Sequence, residues 1–125
     1  VLTGLEDGTF APAKAITRQQ ASSIVGRYLV LRELASAGSI KGAQGTYPTL
    51  EAWFAAEGAA VLAPFADAEN LAAVHAPYTA YLVHTGVIQG TVFGGASYLM
   101  PLGDLTRAQA AAMIVRASKV VFGGL

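Results

Sequence analysis

Apolar residues recur at helical spacing in several stretches of the chain. Ala21, Ile24, Val25 and Tyr28 share one helical face, as do Ala110, Met113, Ile114 and Ala117. Between Pro77 and Thr85, the residues Tyr78, Tyr81 and Leu82 stand at i, i+3 and i+4. A further stretch from Thr49 to Val61 carries Leu50, Trp53, Phe54 and Val61. Each stretch has a plausible stop: Gly38 and Gly123 after the first two, Gly86 and Pro64 after the others. Residues 37–47 are rich in Gly and Ser and read as a linker.

Two of these helices open alike. Thr17 and Thr106 fall at the N-cap, and Gln20 and Gln109 follow three positions later, the spacing of a capping box. The likeness extends upstream, where Val1 aligns with Val87 and Gly4 with Gly90. After three extra residues in the later copy, Pro12 aligns with Pro101. Thr17, Arg18, Gln20, Ala21 and Arg27 then match Thr106, Arg107, Gln109, Ala110 and Arg116 in register. The repeat unit is helix, Gly-rich loop, helix. Residues 1–36 carry its second half, 37–64 a linker and inserted helix, and 65–122 a complete unit. The pattern predicts an all-α fold in which such units pack around a shared helical bundle core.

Composition narrows the function. Hydrophobic residues make up 54% and charged residues 13%, too apolar a balance for a disordered chain. Much of the apolar content is Ala, which favours helices whose backbones approach closely. Acidic and basic residues cancel, and no Lys or Arg lies between Lys41 and Arg107, so no basic face for nucleic acid is expected. With no Cys there is neither a disulfide framework nor a thiolate metal site. The apolar runs are too short for membrane insertion, and no basic-then-apolar leader opens the chain, which reads as a processed piece of something larger. No nucleophile elbow, phosphate loop or Cys/His constellation is present, so neither catalysis nor a cofactor is expected.

The quoted repeats resemble the S-layer homology family. Phe65-Ala66-Asp67 matches the element that opens that family's repeat, and Gly86-Val87-Ile88-Gln89-Gly90 its central turn. Asp7-Gly8-Thr9-Phe10-Ala11-Pro12 matches its loop, while Ile16-Thr17-Arg18-Gln19-Gln20 and Leu105-Thr106-Arg107-Ala108-Gln109 match the start of its last helix. The chain departs from the pattern in lacking the front-helix Trp, where Val74 or His75 falls. It also has Gln at the last acidic position of both copies, and its second loop lacks the Asp. The resemblance implies a non-catalytic anchor at the bacterial cell surface that binds a secondary cell-wall polysaccharide, often one bearing ketal-linked pyruvate. Further repeats, in this or a neighbouring chain, are implied partners, and lattice assembly through protein contacts is the alternative.

Candidate ligand residues follow. Arg18 and Arg107 each place a cation beside an N-cap, an unfavourable position costing about 0.3–1 kcal/mol. Their repetition suggests an arriving anion, held by guanidinium and N-terminal amides together; the competing reading is an ion pair with a local acid such as Asp104. Asp67 either accepts sugar hydroxyls or caps a short helix from Ala68 to Val74. Gly4 and Gly90 permit close approach of a ligand or of a neighbouring helix. Gln20 and Gln109 complete the candidate set. Asp7-Gly8 lacks the alternating acids of a calcium loop, and His75 and His84 diverge on a helix, so no metal is expected. Glu51 and Glu57 lie too far round one helix for a glycosidase pair and are expected to be solvated. Trp53 either stacks on sugar or joins the core.

Overall fold

The computed structural model describes residues 16–122, and side chains as far as Val120. Helix α1 (Arg18–Ala37) opens with a complete capping box at Thr17 and ends where Gly38 turns left-handed at φ 77°. A hairpin of β1 (Ile40–Lys41) and β2 (Thr46–Tyr47) follows, pairing Ile40 with Tyr47. Thr49 then caps a continuous helical stretch: α2 (Leu50–Trp53), one π-helical turn (Phe54–Gly58) and α3 (Ala59–Leu62). A 3₁₀ turn (Ala68–Asn70) leads to α4 (Ala76–Thr85), with Pro77 in its first turn and Gly86 as a left-handed cap. A second antiparallel hairpin, β3 (Thr91–Phe93) with β4 (Ala96–Tyr98), precedes α5 (Arg107–Phe122).

The expected all-α fold is therefore corrected to a largely helical fold carrying two small antiparallel sheets. Both hairpins lie in Gly-rich segments whose short strands leave no run of alternating residues to read. The first sits in the segment expected to be a linker. Its Ile40 is fully buried, and the hairpin is pinned from two sides. The Glu57 carboxylate accepts the amides of Ala43 and Gln44 and the Tyr47 hydroxyl, at 2.7–2.9 Å. The carboxylate of Glu33 accepts Lys41 N and the Tyr81 hydroxyl. Glu57 is thus buried in a cradle of donors, not solvated; Glu51 is exposed.

The core runs from α1 across α4 to the Trp53 helix. Trp53, Leu82, Ala80 and Ile40 are fully buried, and the Trp53 and Tyr81 rings meet edge-on at 6.1 Å. Fully burying side chains of this size contributes about 1.5–3 kcal/mol each. Trp53 is accordingly a core residue. The buried face of α1 is rotated in part from the expected stripe: Ala21 is buried and Val25 packs against the core as expected, but Ser22, Gly26, Leu29 and Val30 also face inward, while Ile24 and Tyr28 are exposed. Gly26 explains the rotation, because a Cβ there would lie 2.9 Å from that of Tyr78. The missing side chain lets α1 and α4 approach closely, and bulkier neighbours are turned outward. No helix among the described residues is long and apolar enough to cross a membrane.

Candidate functional site

The start of α1 is docked on the bend before α5. Arg18 N and Gln19 N donate to the carbonyls of Gly103 and Pro101 at 2.9 and 3.0 Å, and Leu105 N donates to Ile16 O at 2.9 Å. Asp67 shapes this bend, its two carboxylate oxygens accepting Leu99 N and Met100 N at 2.8 Å each. Between those amides and Gly103, Met100 takes the left-handed φ of 53°, at a cost of about 1–2 kcal/mol that charge-assisted bonds of this kind offset. Arg18 lies over the bend with its Nη1 3.4 Å from Met100 O, and any Cβ on Gly103 would collide with the guanidinium.

Behind that guanidinium opens a cavity of about 320 Å³. Helix α1 contributes Arg18, Gln19 and Ser22 to its wall, and α4 contributes Thr79. The turn Val87–Thr91 forms the rim. From α5 come Gln109, Met113 and Arg116, which at i, i+4 and i+7 share one face. Among the described residues no carboxylate lines the space. Ser22 is buried with its hydroxyl donating to Arg18 O at 2.7 Å, and Gln19 is buried with its carbonyl oxygen accepting Ala72 N at 3.0 Å. Thr79 is 3% exposed, and its hydroxyl has no hydrogen-bond partner among the described residues. A buried hydroxyl without a partner costs free energy and calls for an explanation. Two guanidinium groups, three carboxamides and a hydroxyl without a partner among the described residues make a wall suited to an anionic, oxygen-rich ligand.

The structure thus brings Arg18, Gly90 and Gln109 to one cavity and leaves Arg107, Gln20 and Asp67 elsewhere. Arg107 is exposed and lines no part of the cavity. The Oε1 atoms of Gln20 and Gln109 each accept from the N-cap amide, Thr17 N at 3.0 Å and Thr106 N at 2.9 Å; only Gln109 also faces the cavity. Gly90 has φ 77° and lies against the Phe65 ring, so its lack of a side chain serves the fold as well. Gly4 and the loop Asp7–Pro12 lie outside the described residues.

Two chemical expectations change. Asp67 neither caps the 3₁₀ turn with its side chain nor presents a free carboxylate, because both of its oxygens are committed to the bend. It borders a separate, open and apolar depression of about 610 Å³. The N-terminal amides expected to help Arg18 hold an anion are taken by Gly103 O and Pro101 O, which leaves the guanidinium as the anion donor at that spot. Sequence reasoning missed Arg116, Thr79, Gln19 and Ser22. Arg116 was visible as a repeat match, and Ser22 and Thr79 as polar residues on apolar helix faces.

Other titratable groups serve the fold. The hydrogen bond from Tyr47, with those from Gln44 and Ala43, holds the Glu57 carboxyl below its ordinary value despite the opposing effect of burial. Burial, and then the hydrogen bond to Glu33, keep the Tyr81 hydroxyl well above the usual phenol range. The His75 Nδ1 meets the Ser23 hydroxyl at 2.6 Å. His84 Nε2 lies 2.9 Å from Lys41 O, an acceptor that fixes the proton on that nitrogen. Among the described residues no three His, Cys, Asp or Glu are grouped to hold a metal ion.

Comparison with known proteins bears on the beginning of the chain. The family model of the S-layer homology domain matches residues 1–22, a segment that runs into α1 and takes in Arg18, Gln19 and Ser22 of the cavity. The match bears out the resemblance read from the repeats, and supports a cell-wall anchoring module with cell-surface association in general. No curated protein and no solved structure matches the chain.

Proposed function

We propose that this chain is a non-catalytic anchoring module that holds an acidic unit of a cell-wall polysaccharide, such as a pyruvylated sugar, in the cavity between α1 and α5. The observation that carries this reading is the cavity wall, which joins the Arg18 guanidinium to the Val87–Thr91 turn and, among the described residues, contains no carboxylate to neutralise the cation. An arginine that meets no acid among the described residues, in a partly enclosed space, is suited to a carboxylate, and its two-pronged geometry favours planar anions over neutral sugars. At about 320 Å³ the space is at the small end of ligand cavities, fitting one sugar unit and not a length of chain.

Binding to purified wall polysaccharide, native and carboxyl-reduced, tests the reading. Native polymer is expected to bind, and reduction of its carboxyl groups to weaken binding by about tenfold or more. Equal affinity for both forms, or for neither, would overturn it.

A second reading, protein-protein or lattice contact, draws on a different surface. Phe93, Leu102 and Met100 are 75%, 63% and 45% exposed around the apolar depression, and exposed clusters of this kind mark docking surfaces. Attachment to walls stripped of polysaccharide, abolished by Phe93→Ser, would favour this reading over the first.

A further inference from the structure

The repeat assigns Arg18 and Arg107 to the same role, yet the cavity takes its second cation from Arg116. The repeat equivalent of Arg116 is Arg27, whose guanidinium lies 5.5 Å from the centre of the Tyr78 ring on the outside of the α1–α4 interface. Arg116 instead follows Gln109 and Met113 along the α5 face that closes the cavity. The small side chains Ala108 and Ala112 line the same space, so the α5 wall leaves room beside the guanidinium. Thr79 of α4 lines the same space, and its buried hydroxyl has no partner among the described residues. A helical Thr usually back-bonds to a carbonyl one turn earlier, and this one does not.

We infer that Arg116 and Thr79 are the specificity-determining residues of this cavity: Arg116 is a second anchor for the ligand's carboxylate, and Thr79 bonds a neighbouring ring or acetal oxygen of the same sugar unit. The inference rests on the anchoring function proposed above and deepens it. Arg18 and Arg116 approach the cavity from different helices, so one anionic group is held from both sides. Thr79 adds a polar contact that a simple carboxylate lacking sugar oxygens would not use. The ligand class is therefore an acidic monosaccharide unit, with carboxylate and oxygen atoms close together, and not a bare anion.

Two variants and one polymer test this. Arg116→Gln is expected to weaken binding of native wall polysaccharide by about tenfold or more, while leaving weak binding of the carboxyl-reduced polymer unchanged. Thr79→Val removes the hydroxyl at nearly constant shape. Its signature is a thermal midpoint that holds or rises, since an unpartnered buried hydroxyl has gone, together with an affinity about three- to tenfold lower. A structural Thr79 would give a lower midpoint with affinity unmoved. Wild-type affinity in both variants, with native polymer still preferred over reduced, would overturn this inference and leave the anchoring function standing. Loss of that preference in the wild-type protein would instead overturn the anchoring function itself.

Discussion

Helices α1 and α5 begin with the same chemistry and end in different surroundings. Each has a Thr N-cap, an Arg directly after it and a Gln that returns the capping bond. From there they part. The first two amides of α1 are taken by Pro101 and Gly103, whereas no carbonyl among the described residues takes those of Arg107 and Ala108. Helix α1 buries a whole face against α4, while α5 buries only Met113 among its described side chains and exposes Ile114 and Val115. Local sequence sets how a helix starts. What packs against it sets where its residues come to lie, so the equivalent arginines Arg18 and Arg107 differ in surroundings.

The sharpest way to break this comparison is at Gly26 and Val115, which are repeat equivalents. Gly26→Val forces a branched side chain against Tyr78 and is expected to cost about 3 kcal/mol in denaturant unfolding. A loss under about 0.5 kcal/mol, the range of ordinary surface changes, would refute the close α1–α4 approach. A smaller effect concerns the carboxylates that hold the two hairpin regions, Glu57 under the first and Asp67 beside the second. Because the folded value of Glu57 is lowered, its contribution is complete above the ordinary value of 4.5 and is lost as pH falls through the folded value. Urea midpoints should therefore decline on acidification in the wild type and less steeply in Glu57→Gln. Parallel profiles would remove Glu57 from the account. The smallest effect is at Val115→Gly, expected to cost about 0.3–0.5 kcal/mol from helix propensity alone. A loss as large as that of Gly26→Val would show that α5 is packed as α1 is.

What the sequence made legible was local. Thr17 and Thr106 announced their helices because an N-cap and its partner lie within one turn. The repeat also led to Arg18, Gly90 and Gln109. The first hairpin was illegible because its strands are two residues each and its hold on the fold comes from Glu57, at a distance of 13 and 14 positions from the amides it accepts. Asp67 was misread for the same reason, since its partners Leu99 and Met100 are more than thirty positions away. Arg116 and Thr79 acquire meaning only when α4 and α5 are placed around one space, which no short motif encodes.

The central claim is that two arginines identical in the repeat are unequal in use, and paired single variants measure it directly. Arg18→Gln and Arg107→Gln each keep much of the apolar stem and lose the cation. Affinity for native wall polysaccharide, measured beside the thermal midpoint, is expected to fall about ten- to 150-fold for Arg18→Gln, as loss of a charge-assisted bond worth about 1.5–3 kcal/mol requires. Arg107→Gln should bind as the wild type does, with a midpoint that holds or rises slightly as a cation leaves the positive end of a helix. Equal losses of affinity in the two variants, or a loss confined to Arg107→Gln, would contradict the account.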